Sequence, residues 1–401
     1  MDITAGLTIT VAIFLWSTVS ARLTRADLSA PIVFVAVGVL LAMLGHIDAS
    51  TAPETFAPLV NVALVWILFS DAARVPIQEV RHDLGRYVRL LAVGLPLTIL
   101  AGWGLAIWLL PALGVWLALL VGSALAATDA SLGVPVVTNP AVPSSIRRLL
   151  AVESGLNDGI ATPVVLLALA GAASTEGEGP GVAQALADLA IGALVGLAVG
   201  FAGGWLLRHA RRRGWAAEEF SGIAVLTLAL AAYTLPLALG GNGFVAAFCG
   251  GMAFAAAAGR RAPAELAFLE QAGGLVSLLV WLTFGALAVP ILLDLLTLPT
   301  VLYAVLSLTL VRMVPVALAS LGSRLDRNTV LFVGWFGPRG LASLVFALLA
   351  LEELGSHADG AVAVITLTVL LSVLAHGLTA APLATRYGRT ANIPAERPTA
   401  P

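Results

Sequence analysis

The chain has no lysine, a single cysteine, and charged residues at only 11% of its 401 positions. Each scarcity excludes something. A soluble fold of this length needs far more charge to cover its surface, so a water-soluble globular protein is excluded. Cys249, between Phe248 and Gly250 in an apolar run, rules out a disulfide framework, a cysteine-cluster metal site and a redox pair. No GxxxxGK[ST] loop is present, which argues against direct coupling to ATP hydrolysis. His46, His82, His209, His357 and His376 fall at or near the ends of apolar stretches, and none has metal-ligand spacing. No resident cofactor, nucleic-acid partner or enzymatic activity is expected. All 21 basic residues are arginine, a usage that points to a bacterial genome rich in G and C.

Apolar residues make up 59% of the chain, and the mean hydropathy is +0.99. At about 1.5 Å per helical residue, stretches long enough to cross a bilayer can be counted directly. Thirteen are expected, at approximately 3–21, 30–46, 56–72, 88–110, 112–138, 145–172, 183–207, 219–238, 243–259, 267–290, 299–321, 328–351 and 360–383. Arginines follow the odd-numbered spans: Arg22 and Arg25; Arg74, Arg81, Arg86 and Arg89; Arg147 and Arg148; Arg208 and Arg211 to Arg213; Arg260 and Arg261; Arg324 and Arg327; and Arg386, Arg389 and Arg397. The intervening connections carry acids instead, among them Glu54, Glu176, Glu178, Asp294, Glu352 and Glu353. By the positive-inside rule the N-terminus lies outside and the C-terminus in the cytoplasm. The start lacks a basic n-region and a small-residue cleavage site, so the first span is expected to be retained. Residues 385–401 read as a short cytoplasmic tail on a single transmembrane unit, 1–384.

Two polar strings interrupt this apolar pattern. One is Ala127-Thr128-Asp129-Ala130 in span 5; the other is Glu153-Ser154-Gly155-Leu156-Asn157-Asp158 in span 6. An ionisable side chain in mid-membrane costs roughly 2.5–3.5 kcal/mol on insertion scales, which makes it a functional-site candidate by default. Three carboxylates with a threonine, a serine and an asparagine form an oxygen-rich set suited to a small hard cation, and the acids can hold a proton instead.

Arg312 and Arg339 are the two arginines inside spans, and each needs a carboxylate or carbonyl partner. Helical rise puts Glu153 about 10 Å and Arg312 about 13 Å from the cytoplasmic side, so they pair by depth. Ser154 and Asp158 share one helical face, Glu153 and Asn157 another. Glu153 is therefore read as the structural partner of Arg312. Asp158, free of a fixed arginine, is read with Ser154 as part of an ion pathway. Arg339 is read as satisfying the carbonyls of its own interrupted span rather than binding substrate.

Helix breakers cluster beside these residues. Gly133 and Pro135 follow Asp129 in span 5, and Gly334, Gly337, Pro338 and Gly340 surround Arg339 in span 12. Unwound backbone at this depth is tolerated where it lines a cavity or is buried in protein. Interrupted spans at matching places in two oppositely oriented halves indicate an inverted repeat, about 1–172 and 219–384, joined by span 7 at 183–207. Gly192, Gly196 and Gly200 in that joining span read as close helix packing.

Together, Ala127-Thr128-Asp129, Glu153-Ser154-Gly155-Leu156-Asn157-Asp158-Gly159 and Phe336-Gly337-Pro338-Arg339-Gly340 resemble the NhaP/NHE branch of monovalent cation/proton antiporters. The resemblance implies an all-α polytopic fold with spans 5 and 12 as crossed discontinuous helices. It implies a homodimer in the cell membrane, each protomer with a dimerisation domain and a core domain that moves like an elevator. It further implies Asp158 as the cation- and proton-binding carboxylate. Asp129, Ser154 and the Thr128 backbone oxygen complete that site, Glu153 pairs with Arg312, and Asp71 stands at the cytoplasmic funnel. Asn157 before Asp158 resembles the electroneutral branch. Ala130 departs from the proline the family often has after its Thr-Asp pair.

The expected activity is exchange of Na⁺ or Li⁺ for H⁺, with K⁺/H⁺ exchange on the same scaffold and a cation channel as alternatives. An intramembrane aspartyl protease, which also needs two membrane acids, would want a GxGD-type motif, and neither acid has one.

Overall fold

A computed structural model describes residues 3–25, 28–47, 52–75, 84–129, 132–175, 181–259, 262–323 and 325–390. Ala130, Arg81, His82, Glu176, Glu178, Arg260, Arg261, Arg324 and Arg397 lie outside them, as do the side chains of Arg25, Glu54 and Pro135. Among the described residues every regular element is helical. That is what an apolar chain in lipid requires, because a helix satisfies its backbone polar groups within one segment.

The first half comprises α1 (Ile3–Arg25), α2 (Ala30–Met43), α3 (Ala52–Arg74), α4 (Leu84–Leu109, with a π-helical turn at Arg89–Gly94), α5 (Gly114–Ala124), the single turn α6 (Val134–Val137) and α7 (Ser144–Thr175). The long α8 (Gly181–Arg212) leads into α9 (Glu218–Leu237), α10 (Gly243–Ala258), α11 (Ala262–Asp294) and α12 (Leu298–Ala319). The chain ends in α13 (Arg327–Trp335), α14 (Leu341–Leu354) and α15 (Asp359–Thr390). By length and composition, nine membrane-crossing helical segments are present among the described residues, fewer than the thirteen spans expected. The shortfall has a local cause. Ala30–Met43, Pro111–Ala124 and Gly243–Ala258 are apolar but short, and span 12 is cut into α13 and α14. The final segment, Leu341–Arg389, is α14 and α15 joined by one 3-10 turn.

Packing around the joining helix follows its glycines. A Cβ on Gly192, Gly196 or Gly200 of α8 would overlap backbone atoms of Asn242, Ala246 or Gly250 respectively. The four-residue step is the same on both helices, so α8 and α10 run backbone to backbone along one glycine-lined seam. Asn242 also starts α10, its side-chain oxygen accepting the Phe244 and Val245 N–H groups at 3.0 and 3.1 Å. On the outer surface Phe14, Leu194, Phe201 and Trp205 are exposed, the apolar exterior of a multi-span membrane protein. The polar strings lie inside, within the largest buried cluster and beside a second one built on Tyr87, Ile146, Phe332 and Phe336.

Candidate functional site

Two chain interruptions meet in the middle of the molecule. Helix α5 stops at Ala124, where a run of small residues gives way to Thr128 and Asp129. Helix α13 stops at Trp335, and residues 336–340 (Phe-Gly-Pro-Arg-Gly) run non-helically before α14 begins. The proline has no N–H to continue a ladder, and the glycines on either side free the backbone to turn.

The interrupted stretches hold each other. Asp129 N–H donates to the Pro338 carbonyl at 2.8 Å, and the Asp129 carboxylate accepts the Leu341 N–H at 3.0 Å. Arg339 donates to the Ala126 and Ala127 carbonyls at 3.2 and 3.3 Å, and the Ser343 hydroxyl donates to the Ala124 carbonyl at 2.7 Å. Gly340 is required there, because a Cβ would overlap the Asp129 carboxylate. These bonds satisfy groups that the broken ladders leave over, and the carboxylate sits at the N-terminus of α14, where the helix dipole favours an anion.

Arg339 therefore differs from the sequence reading. It serves the carbonyls of the first interruption, not those of its own. Its own stretch is held from α15: the Ser372 hydroxyl accepts the Arg339 N–H at 2.7 Å, and the His376 ring lies 2.9 Å from the Trp335 carbonyl.

The α7 string packs against Thr128. Asn157 donates to the Thr128 hydroxyl at 2.5 Å and accepts the Thr128 N–H at 3.3 Å, while Ser154 Oγ lies 3.0 Å from that hydroxyl. The Thr128 carbonyl takes no part in these bonds. Asn157 thus reaches the same residue as Ser154, although the four-residue rule grouped it with Glu153. Positions three apart are as much neighbours on a helix as positions four apart.

Asp158 is 4% exposed, and its Oδ1 is buried without a hydrogen-bond partner. Its backbone carbonyl accepts the Thr162 hydroxyl at 2.7 Å. The following residue, Gly159, leaves room for the Phe248 ring, which a Cβ would overlap. Glu153 faces elsewhere: Arg312 donates to its two carboxylate oxygens at 2.7 and 2.8 Å, with both side chains buried. Asp71 approaches from α3. A Cβ on Gly155 would lie 3.4 Å from the Asp71 carbonyl oxygen and 3.8 Å from its Cβ. The Asp71 carboxylate is 3.8 Å from Arg74, which also donates to Glu270 at 2.6 Å.

Thr128, Ser154 and Asn157 are thus bonded to one another, with Asp158 buried next to Asn157 on α7. Asp129 and Arg339 tie the two interruptions together, Asp71 lies against Gly155, and Glu153 and Arg312 are a separate pair. No group of three or more His, Cys, Asp or Glu residues placed to hold a metal ion occurs among the described residues. The family model described as "Sodium/hydrogen exchanger, transmembrane" matches residues 8–386.

The chain belongs to the sodium/hydrogen exchanger family.

This is a family of transporters rather than enzymes. Among relatives, the K(+)/H(+) antiporter NhaP of Alkalimonas amylolytica is 28% identical over 357 residues, 86% of this chain and 60% of that protein. The Na(+)/H(+) antiporter 2 of Zygosaccharomyces rouxii is 32% identical over 168 residues, 39% of this chain and 21% of that protein. This exchanger-family chain therefore spans about three fifths or less of the lengths of these two relatives. The solved sodium proton antiporter MjNhaP1 from Methanocaldococcus jannaschii at pH 8 has the same fold, with a TM-score of 0.76 at 20% identity, covering 96% of this chain and 99% of that one.

Sequence reasoning missed Ser343, Ser372 and His376 as supports of the interruptions. His376 is not at a span end but 1% exposed within α15, fourteen residues before its last residue, Thr390. The available signal was Ser372 and His376, four apart in an otherwise apolar stretch.

Proposed function

We propose that this protein is a secondary active antiporter that exchanges a monovalent cation for a proton across the cell membrane, with Asp158 as the shared carboxylate. One observation carries the reading. Asp158 is buried with an unpartnered oxygen, while the two buried arginines are bonded elsewhere, Arg312 to Glu153 and Arg339 to the Ala126 and Ala127 carbonyls. An ionised carboxylate in a low-dielectric site needs a counter-charge, and without a fixed one it takes a mobile one. A proton and a dehydrated monovalent cation both serve. The Thr128 and Ser154 hydroxyls, the Asn157 carbonyl and Asp129 supply further oxygens, the donor set a hard cation accepts. Because both ions use one carboxylate, each displaces the other, which couples their movements.

The exchange is one for one. Glu153 is committed to Arg312, Asn157 is neutral at every pH, and Asp129 accepts the Leu341 N–H at the start of α14. Asp158 remains as the exchangeable acid. In this reading α5–α6 and α13–α14 are crossed discontinuous helices of an inverted repeat in a thirteen-span, N-out protomer. A core domain carrying them moves past the dimerisation domain of a homodimer, and Asp71 receives cations at the cytoplasmic mouth. Na⁺ and Li⁺ are the first candidate cations. K⁺ is a second, favoured by the K(+)/H(+) antiporters among the relatives.

The test is a series of Na⁺, Li⁺ and K⁺ pulses to proteoliposomes with an internal pH dye, with Asp158→Asn as control. Wild type should exchange at least one of these ions for protons. Asp158→Asn should abolish exchange while leaving expression and thermal midpoint unchanged. Coupled exchange in that variant at more than a small fraction of wild type would remove Asp158 from the mechanism.

A further inference from the structure

We propose that His376, acting through Ser372, is a positioning residue that sets the geometry of the cation site from α15. The inference rests on the antiporter reading for its transport consequence, but not for its geometry. Ser372 and His376 lie one turn apart on α15, at 0% and 1% exposure. The Ser372 hydroxyl accepts the Arg339 N–H at 2.7 Å, so its own proton is free to donate. His376 Nδ1 lies 3.1 Å from that hydroxyl, and Nε2 lies 2.9 Å from the Trp335 carbonyl, the last of α13. Of the two neutral tautomers, only the one protonated at Nε2 gives that carbonyl a donor while leaving Nδ1 to accept the Ser372 proton. Nδ1 is also 2.9 Å from the Ser372 carbonyl, which in this tautomer is a close approach of two acceptors, so the ring is held by its bonds to the Ser372 hydroxyl and the Trp335 carbonyl.

The two residues thereby grip both ends of the 336–340 stretch. Trp335 is further tied to α15 by its indole N–H, which donates to Thr379 Oγ1 at 3.0 Å. Ser372, His376 and Thr379 follow a four- and three-residue spacing, one face of one helix. From Arg339 the chain of bonds continues to the Ala126 and Ala127 carbonyls, and from Pro338 and Leu341 to Asp129. Thr128 lies between these anchored residues. A shift of α15's grip is therefore passed to the oxygens around Asp158, which Thr128 positions through Asn157 and Ser154.

Two substitutions separate this role from simple packing. Glutamine can donate its amide N–H to the Trp335 carbonyl and accept from Ser372 with its oxygen; leucine can do neither. His376→Leu should raise the apparent KM for the transported cation by about ten- to a hundredfold, the scale on which a small misplacement acts, with a lesser change in maximal rate. His376→Gln should stay close to wild type. Equal KM values in both variants, whether unchanged or equally raised, would overturn the proposal. Hydrogen–deuterium exchange of the Arg339 and Leu341 amides in the purified protein reads the grip without transport. Faster exchange in His376→Leu but not in His376→Gln supports the proposal, and no difference between the variants refutes it. A wild type that exchanges no monovalent cation would sink the antiporter reading and leave this amide measurement to decide the positioning role.

Discussion

Glu153 and Arg312 offer a perturbation whose size follows from the structure. The guanidinium makes two parallel bonds of 2.7 and 2.8 Å to one carboxylate, and the two side chains are 2% and 3% exposed. Such a bidentate pair is short and charge-assisted on both sides. Removing one member leaves the other charge buried without compensation, at a cost of about 3–5 kcal/mol, whereas removing both deletes the two desolvated charges together. Glu153→Gln and Arg312→Ala should each lower the thermal midpoint in detergent by several degrees. The double variant should be no worse than the poorer single, a coupling toward the top of the roughly 0.5–3 kcal/mol seen for residues in contact.

A third substitution reaches the same pair without touching a charge. Gly337 backs the guanidinium, and a Cβ there would lie 2.6 Å from Arg312 Nε and 2.9 Å from Cζ. The side chain cannot retreat without leaving Glu153. Gly337→Ala should therefore lower the midpoint in the wild type and much less in the background lacking both charges. The measurement is a double-mutant cycle on purified protein, extended to that background. Additive losses for Glu153→Gln and Arg312→Ala would show that the pair contributes nothing as a pair, and the argument from buried charge would fail.

Two further outcomes test the site. With membrane potential clamped by potassium and valinomycin, sodium-driven proton flux should be the same at zero and at inside-negative potential. A marked difference would refute the one-for-one assignment. Gly340→Ala should abolish exchange with expression retained, because its Cβ overlaps the Asp129 carboxylate and breaks the bond to Leu341 N–H. Normal exchange in proteoliposomes carrying that variant would mean that the contact between the two interruptions is dispensable.

Much of this protein is written locally. Hydropathy is a property of a short window, so the membrane class, the helical stretches and the polar strings at Thr128-Asp129 and Glu153–Asp158 can be read without any partner in view. The Glu153–Arg312 pair was also within reach, because two opposite charges inside spans at similar depth are natural partners, and the bonds are present in the structure. Glycine carries a comparable message: Gly192, Gly196 and Gly200 announce a close approach, though not that Asn242, Ala246 and Gly250 make it.

The partners of Asp129, Arg339 and His376 were beyond that reach. Asp129 bonds to Pro338 and Leu341, and Arg339 to Ala126 and Ala127, over 200 residues away in the chain. No periodicity records such contacts, since any buried carbonyl or amide would satisfy the same donor or acceptor. His376 looked like one more histidine near a span end until α15 was laid beside α13, where its ring meets the Trp335 carbonyl, which also accepts the Gly337 N–H at 2.8 Å. The sequence by itself determined that these polar groups are buried and must be paired. Only the tertiary structure decided with whom, because an interrupted helix leaves its backbone groups to whichever segment packs across the break.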